Sequence, residues 1–317
     1  MIEISHLTKR YGAKLAVDDA SFTIRKGEIL GFLGRNGAGK STTMNIITGY
    51  ISASGGTVRL DGYDILDNPR EVKRRIGYLP EQPPLYMDMT VDEYLRFVCA
   101  IKDVKRSMVA SHLDDITDLI GLGEVRRRLI RNLSKGYRQR VGMAQALAGN
   151  PEVVILDEPT VGLDPKQIQE VRRLIRQLGR DHTIVLSSHI LPEVADVCDR
   201  LVIIHQGRIV AEDTLAHLTR PEAESRRIRL RVAGPEQTVC EALSGIDGVA
   251  RVDRLGSREE GAFDYLLHAE GEGDVRRAVF SAMAALGCPI LIQRPMDLEL
   301  EDVFLQLTGD SGEEKAG

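Results

Sequence analysis

The chain has 317 residues, 43% of them hydrophobic and 28% charged, enough for one large core and one smaller one, so two domains are expected. Residues 1–220 carry 31 Lys and Arg against 28 Asp and Glu, and residues 221–317 carry 11 against 19, so neither part has the basic face of a nucleic-acid reader. Apolar runs are short, as in Val153–Leu156 and Leu201–Ile204, and none approaches the about 18 residues of a spanning helix. Four scattered cysteines (Cys99, Cys198, Cys240, Cys288) form no CxxC pair, which argues against zinc or a disulfide framework and for a reducing, cytosolic setting.

The first segment, Ile2–Ile4, reads as a strand with no basic and apolar leader before it. Ser21–Ile24 and Ile29–Phe32 follow as short strands punctuated by Gly27 and Gly34. After the third comes Gly34-Arg35-Asn36-Gly37-Ala38-Gly39-Lys40-Ser41, a GxxxxGK[ST] pattern lying between a strand and a helix. Its glycines let backbone N–H groups wrap a phosphate chain, Lys40 adds a point charge, and Ser41 offers a hydroxyl to Mg²⁺. The helix continues through Met44 and Ile47 to Gly49, and Thr57–Leu60 with Asp61-Gly62 reads as strand and tight turn.

Residues 92–120 have a helical period, carried by Tyr94, Phe97, Val98 and Ile101, then Leu113, Ile116, Leu119 and Ile120. Leu133-Ser134-Lys135-Gly136-Tyr137 opens a helix with an apolar face of Val141, Ala144 and Leu147. Ser134 suits a plain N-cap there, and the same helix start also favours negative charge. Val153–Leu156 is a continuous apolar strand of the parallel-sheet kind. It delivers Asp157, placed to hold Mg²⁺ through water, and Glu158, placed to orient an attacking water. A helix around Ile168–Leu178 and strands at Thr183–Leu186 and Leu201–Ile204 complete an α/β core with phosphate chemistry at its strand ends.

A break is expected near Thr219–Glu224. Beyond it the order strand (Ile228–Val232), helix (Gln237–Leu243), strands (Val249–Leu255, Phe263–His268), helix (Asp274–Leu286), strand (Ile290–Ile292) is the ferredoxin-like βαββαβ sequence. A helix over Leu298–Leu307 and a polar tail from Gly309 close the chain.

The ordered set Gly34–Ser41, Leu133–Tyr137, Leu156-Asp157-Glu158, Val161-Gly-Leu-Asp164 and Ser188-His189 resembles the ATPase subunit of ATP-binding cassette (ABC) transporters. The resemblance implies an α/β P-loop NTPase cassette over 1–220 with an inserted helical subdomain at about 85–150, a small α+β domain over 221–308 and a tail over 309–317. It implies ATP and Mg²⁺ as cofactors. One subunit's loop (Gly34 to Thr42) would bind ATP, and Ser134 and Gly136 of a second copy or paired cassette would close over it. It also makes Tyr11 the aromatic that stacks on adenine, His189 a γ-phosphate contact beside the catalytic Glu158 and Lys40, and Asp164 the link between paired sites. The family's usual signature is LSGGQ, here LSKGY; Glu81 stands where a metal-contacting glutamine is usual, with Gln82 next to it, and either could reach Mg²⁺. These departures, with Glu81–Tyr86 and Leu300–Leu305, resemble the type-2 exporter group.

In that family the segment at about Pro83–Phe97 docks a helix of an integral membrane permease. Leu85, Tyr86, Met87 and Met89 suit that use, and they equally suit internal packing. Transport ATPase, peripheral on the inner face of the cell membrane and without nucleic acid, is therefore the leading reading. A soluble cassette ATPase acting on nucleic acid or ribosomes is the alternative, and a non-hydrolysing regulatory module a third.

Overall fold

Alternation of apolar and polar residues shapes the start of the chain, and continuous apolar runs shape its centre. The structure, a computed structural model, describes residues 1–218, 226–259, 261–270 and 274–296. The expected break at 219–224, the helix over 298–307, the 300–305 stretch and the tail from 309 lie outside the described residues. The chain divides into two compact units, Met1–Leu215 and Ala216–Gly317.

In the first unit β1 (Ile2–Tyr11) and β2 (Lys14–Ile24) bury alternate residues, Ile2, Ile4 and Leu7 on one and Val17, Ala20, Phe22 and Ile24 on the other. β3 (Ile29–Leu33) is buried throughout and runs into the glycine loop and α1 (Lys40–Ile47). β4 (Gly55–Leu60), β5 (Tyr63–Asp64), α2 (Pro69–Arg75) and β6 (Ile76–Leu79) follow. The helical stretch expected over 92–120 is two helices, α3 (Val91–Ile101) and α4 (Arg106–Ile120). They part at Asp103, whose left-handed φ of 56° turns the chain without a glycine. Then come α5 (Lys135–Leu147), β7 (Val153–Asp157), α6 (Pro165–Leu178), β8 (Thr183–Ser188), α7 (Leu191–Ala195), β9 (Arg200–His205) and β10 (Arg208–Thr214), and the short α8 (Leu215–Leu218) falls across the boundary between the units.

These strands form an antiparallel sheet, β2-β1-β4-β5, and a mostly parallel one, β10-β9-β3-β8-β7-β6, in which only β10 runs antiparallel. Both share one core, where Phe22 and Phe32 rings lie 5.3 Å apart beside the fully buried Met44. Parallel register aligns Leu33 with Ser188, Ser187 with Asp157 and Leu156 with Leu79, so four strands end at one rim. α5 presses on β6 so closely that a Cβ on Gly77 would lie 1.9 Å from the Ala146 carbonyl oxygen. Gly77→Ala is therefore expected to destabilise the protein by about 3 kcal/mol through overpacking. Urea unfolding checks this, and an unchanged midpoint would contradict it.

The second unit contains β11 (Arg226–Ala233), α9 (Glu236–Ser244), β12 (Val249–Glu259), β13 (Ala262–Ala269), α10 (Arg276–Ala285) and β14 (Ile290–Met296). Its antiparallel sheet has the order β12-β13-β11-β14, the ferredoxin-like arrangement. One face packs Ile228, Leu230, Val232, Tyr265 and Leu267 against Val239, Leu243, Val279 and Met283 of the helices. Beside them on β13, Asp264 is 1% exposed and paired with Arg229 and Arg231, which hold its carboxyl well below the usual range.

Candidate active site

The loop between β3 and α1 is built by close approach. A Cβ on Gly34 would meet the Ile204 carbonyl oxygen at 2.5 Å, and Gly39, with φ 114°, would meet that of Ala16 at 2.6 Å. α1 has neither a capping side chain nor an acidic residue in its first turn, so no side chain of its own start competes for its leading N–H groups. Lys40, 6% exposed, folds back over the loop, its Nζ donating to the Gly34 oxygen at 2.7 Å and the Arg35 oxygen at 3.3 Å.

Three side chains meet at the strand rim. Lys40 Nζ lies 3.2 Å from Glu158 Oε1, and His189 Nδ1 lies 2.9 Å from Glu158 Oε2. Glu158 is 5% exposed and leaves β7 with a left-handed φ of 50°, a conformation costing on the order of 1 kcal/mol for a non-glycine residue. Its backbone N–H donates to the Ser187 carbonyl oxygen at 3.2 Å and hydroxyl at 3.1 Å, which fixes that turn. Neighbouring Asp157 is 2% exposed; burial pushes its carboxyl above the usual range, against the opposing pull of the Ser187 and Ser41 hydroxyls and Lys40.

Of the other expected residues, Arg35 touches this cluster through its carbonyl oxygen, which accepts from Lys40 Nζ. Tyr11, 49% exposed, ends β1 with the Lys9 ammonium 5.1 Å from its ring centre. Arg35, Asn36 and Gly37 are exposed, Ala38 is buried and Thr42 is half-buried on α1. Glu81 and Gln82 are exposed after β6, and among the described residues no hydrogen bond or ion pair ties either to Lys40, Ser41 or Asp157. Ser134 caps α5, accepting from the Tyr137 N–H at 3.3 Å, and Asp164 caps α6, accepting from the Gln167 N–H at 2.9 Å. Ser134, Gly136 and Asp164 line one cavity of about 220 Å³ between these two helices. Among the described residues no hydrogen bond or ion pair joins them to residues 34–41. One chain thus carries two separate helix starts, at Lys40 and at Lys135.

Sequence reasoning missed four buried polar residues around the cluster, namely Gln139, Thr160, Ser187 and Glu193. Only the Ser187-Ser188 pair ending an apolar strand hinted at them.

Residues 17–161 match the family profile described as ABC transporter. The chain is 39% identical over 220 residues to the bacitracin transport ATP-binding protein BcrA of Bacillus licheniformis, covering 69% of this chain and 71% of that protein. The chain belongs to the ATP-binding proteins of ABC transporters. It is 31% identical over 311 residues to the linearmycin resistance ATP-binding protein LnrL of Bacillus subtilis, covering 98% of both. Among solved structures, the dimeric post-hydrolysis state of the cassette MJ0796 bound to ADP and Pi superposes with a TM-score of 0.63 at 25% identity, covering 68% of this chain and 99% of that one. The cassette is therefore a P-loop ATPase that binds and hydrolyses ATP as a transporter subunit. Among the described residues no helix is long and apolar enough to cross a membrane.

Proposed function

We propose that two cassettes pair head to tail, so that ATP held by one chain's loop is covered by the other chain's Ser134 helix start. The observation that carries this is the separation of the two starts within one chain, each with no acidic residue in its first turn. The loop N–H groups of Gly34 to Thr42 and Lys40 hold the phosphates, Tyr11 stacks on the base, and Asp164 lies at the seam. Glu158, aimed by His189 and by its strained turn, orients the attacking water. With ATP bound, Lys40 turns from Glu158 to the phosphate and leaves that carboxylate free to accept a proton.

The Ser41 hydroxyl and the buried Asp157 carboxylate are hard oxygen donors of the kind Mg²⁺ takes, with water and phosphate completing the set. An ion held there by Ser41 and Asp157 would neutralise phosphate charge. Glu81 and Gln82 stay candidates for a further contact.

Closure on ATP needs a partner to act on. Tyr86, Met87 and Phe97 are 50%, 41% and 37% exposed, with the Tyr86 and Phe97 rings 5.3 Å apart. We assign this patch to a helix of a separate integral membrane permease, which holds the cassette at the inner face of the cell membrane. Relatives named for bacitracin transport and linearmycin resistance support export as the direction of work. Affinity isolation of the tagged chain from its own cells tests this: a membrane permease should co-purify, and recovery with ribosomes instead would overturn the assignment.

Ser134→Arg places a bulky cation where the partner's phosphate would lie. Turnover is expected to fall about 100-fold while the fold is kept. Size-exclusion chromatography with ATP checks the pairing, and normal ATP-driven dimerisation of this variant would contradict it.

A further inference from the structure

We propose that Glu193 is a positioning residue for hydrolysis, clamping the turn after Glu158 to the strand end that carries His189. The proposal rests on the roles given above to those two residues and adds what holds them in register.

Glu193 lies in α7 and is 4% exposed, although a buried carboxylate is costly unless its oxygens are satisfied. Its Oε2 accepts from the Thr160 hydroxyl at 2.5 Å and from the Ser188 hydroxyl at 3.3 Å. Thr160 and Ser188 are 5% and 1% exposed. Among the described residues no Lys, Arg or His pairs with Glu193, so hydroxyl donors rather than an ion pair account for its place. The Ser188 hydroxyl also accepts from the Ile190 N–H at 3.0 Å, fixing the chain on both sides of His189.

The connectivity closes a ring. Thr160 stands two residues after Glu158, and Ser188 stands one before His189. His189 and Glu158 meet at 2.9 Å on one side, and Glu193 joins their neighbours on the other. The ring is tied outward as well: Gln139 of α5 donates to the Pro159 oxygen at 3.1 Å, and the Gly34 N–H donates to the Ser188 oxygen at 3.4 Å. Helix α5 and the first glycine of the loop therefore both touch the ring that Glu193 closes. His189 itself is 36% exposed and has little else to hold its ring against the carboxylate. Removing the acceptor leaves two buried O–H donors without their acceptor and lets two turns drift, and a shift of about 1 Å in a reacting group can cost about 100-fold in rate.

The test compares two side chains of similar bulk. Glu193→Leu fills the space without an acceptor, and is expected to lower kcat about tenfold or more while KM for ATP changes less than about twofold. Glu193→Gln keeps an amide oxygen able to accept from both hydroxyls, and turnover is expected to stay within about threefold of native. Native kcat in a folded Glu193→Leu protein would overturn the proposal, as would an equal loss in Glu193→Gln. If Glu193→Leu does not fold, Thr160→Val carries the same test by removing a donor: kcat should fall at unchanged KM and return in Thr160→Ser, and native kcat in Thr160→Val would overturn the proposal. Glu158→Gln is measured in parallel. Retained turnover in that variant removes the underlying reading, whereas an inactive Glu158→Gln beside a fully active Glu193→Leu removes only the role of Glu193.

Discussion

Lys40→Ala is expected to abolish measurable ATP turnover and to weaken ATP binding at least about tenfold, because it removes the charge that the loop presents to the phosphates. The size of the effect follows from burial. Lys40 and Glu158 side chains are 6% and 7% exposed and lie 3.2 Å apart, in a region where charge is poorly screened. Alanine also strips Glu158 of its cation, and breaking a buried pair from one side costs about 3 kcal/mol. The variant should therefore melt earlier without nucleotide as well as lose activity. Phosphate release and fluorescent-nucleotide titration measure the two functional effects, and turnover equal to native would refute the assignment.

Glu158→Gln separates binding from chemistry. Glutamine matches glutamate in shape, so contact with His189 and the left-handed turn at φ 50° can persist. What is lost is the charge that would draw a proton from water, and turnover should fall about 100- to 1,000-fold with ATP affinity near native. The contrast with Lys40→Ala is diagnostic, since one variant fails to hold ATP and the other fails to spend it. Parallel loss of affinity and rate in Glu158→Gln would move Glu158 from chemistry to binding.

The site's outline was readable in the sequence because its parts are local. GxxxxGK[ST] sits on consecutive residues after an apolar strand, and the run Val153–Leu156 announces a buried strand ending in Asp157-Glu158. The order of elements in the second unit was readable for a similar reason: its strands and helices change period at turn residues, as at Gly234-Pro235 and Gly287. What escaped depends on contacts across the chain. Glu193 reads as an ordinary acidic residue in the first turn of a short helix, and nothing nearby in sequence announces Thr160 as its partner. Arg200, 4% exposed, likewise depends on Glu28 and on the Thr23 oxygen, 172 and 177 residues away. The break between α3 and α4 has no glycine or proline to mark it, because Asp103 takes the left-handed turn itself. Glu81 and Gln82 stand in register with the motif, but both are exposed, and among the described residues neither has a hydrogen bond or ion pair to the loop that would mark it in the fold.

Pairing through ATP is most directly tested by sedimentation of the Glu158→Gln chain. With saturating ATP and Mg²⁺ it should sediment as two copies, and return to one when nucleotide is removed or Ser134→Arg is added. A concentrated, ATP-saturated sample that stays monomeric, even with its permease present, would contradict the shared site.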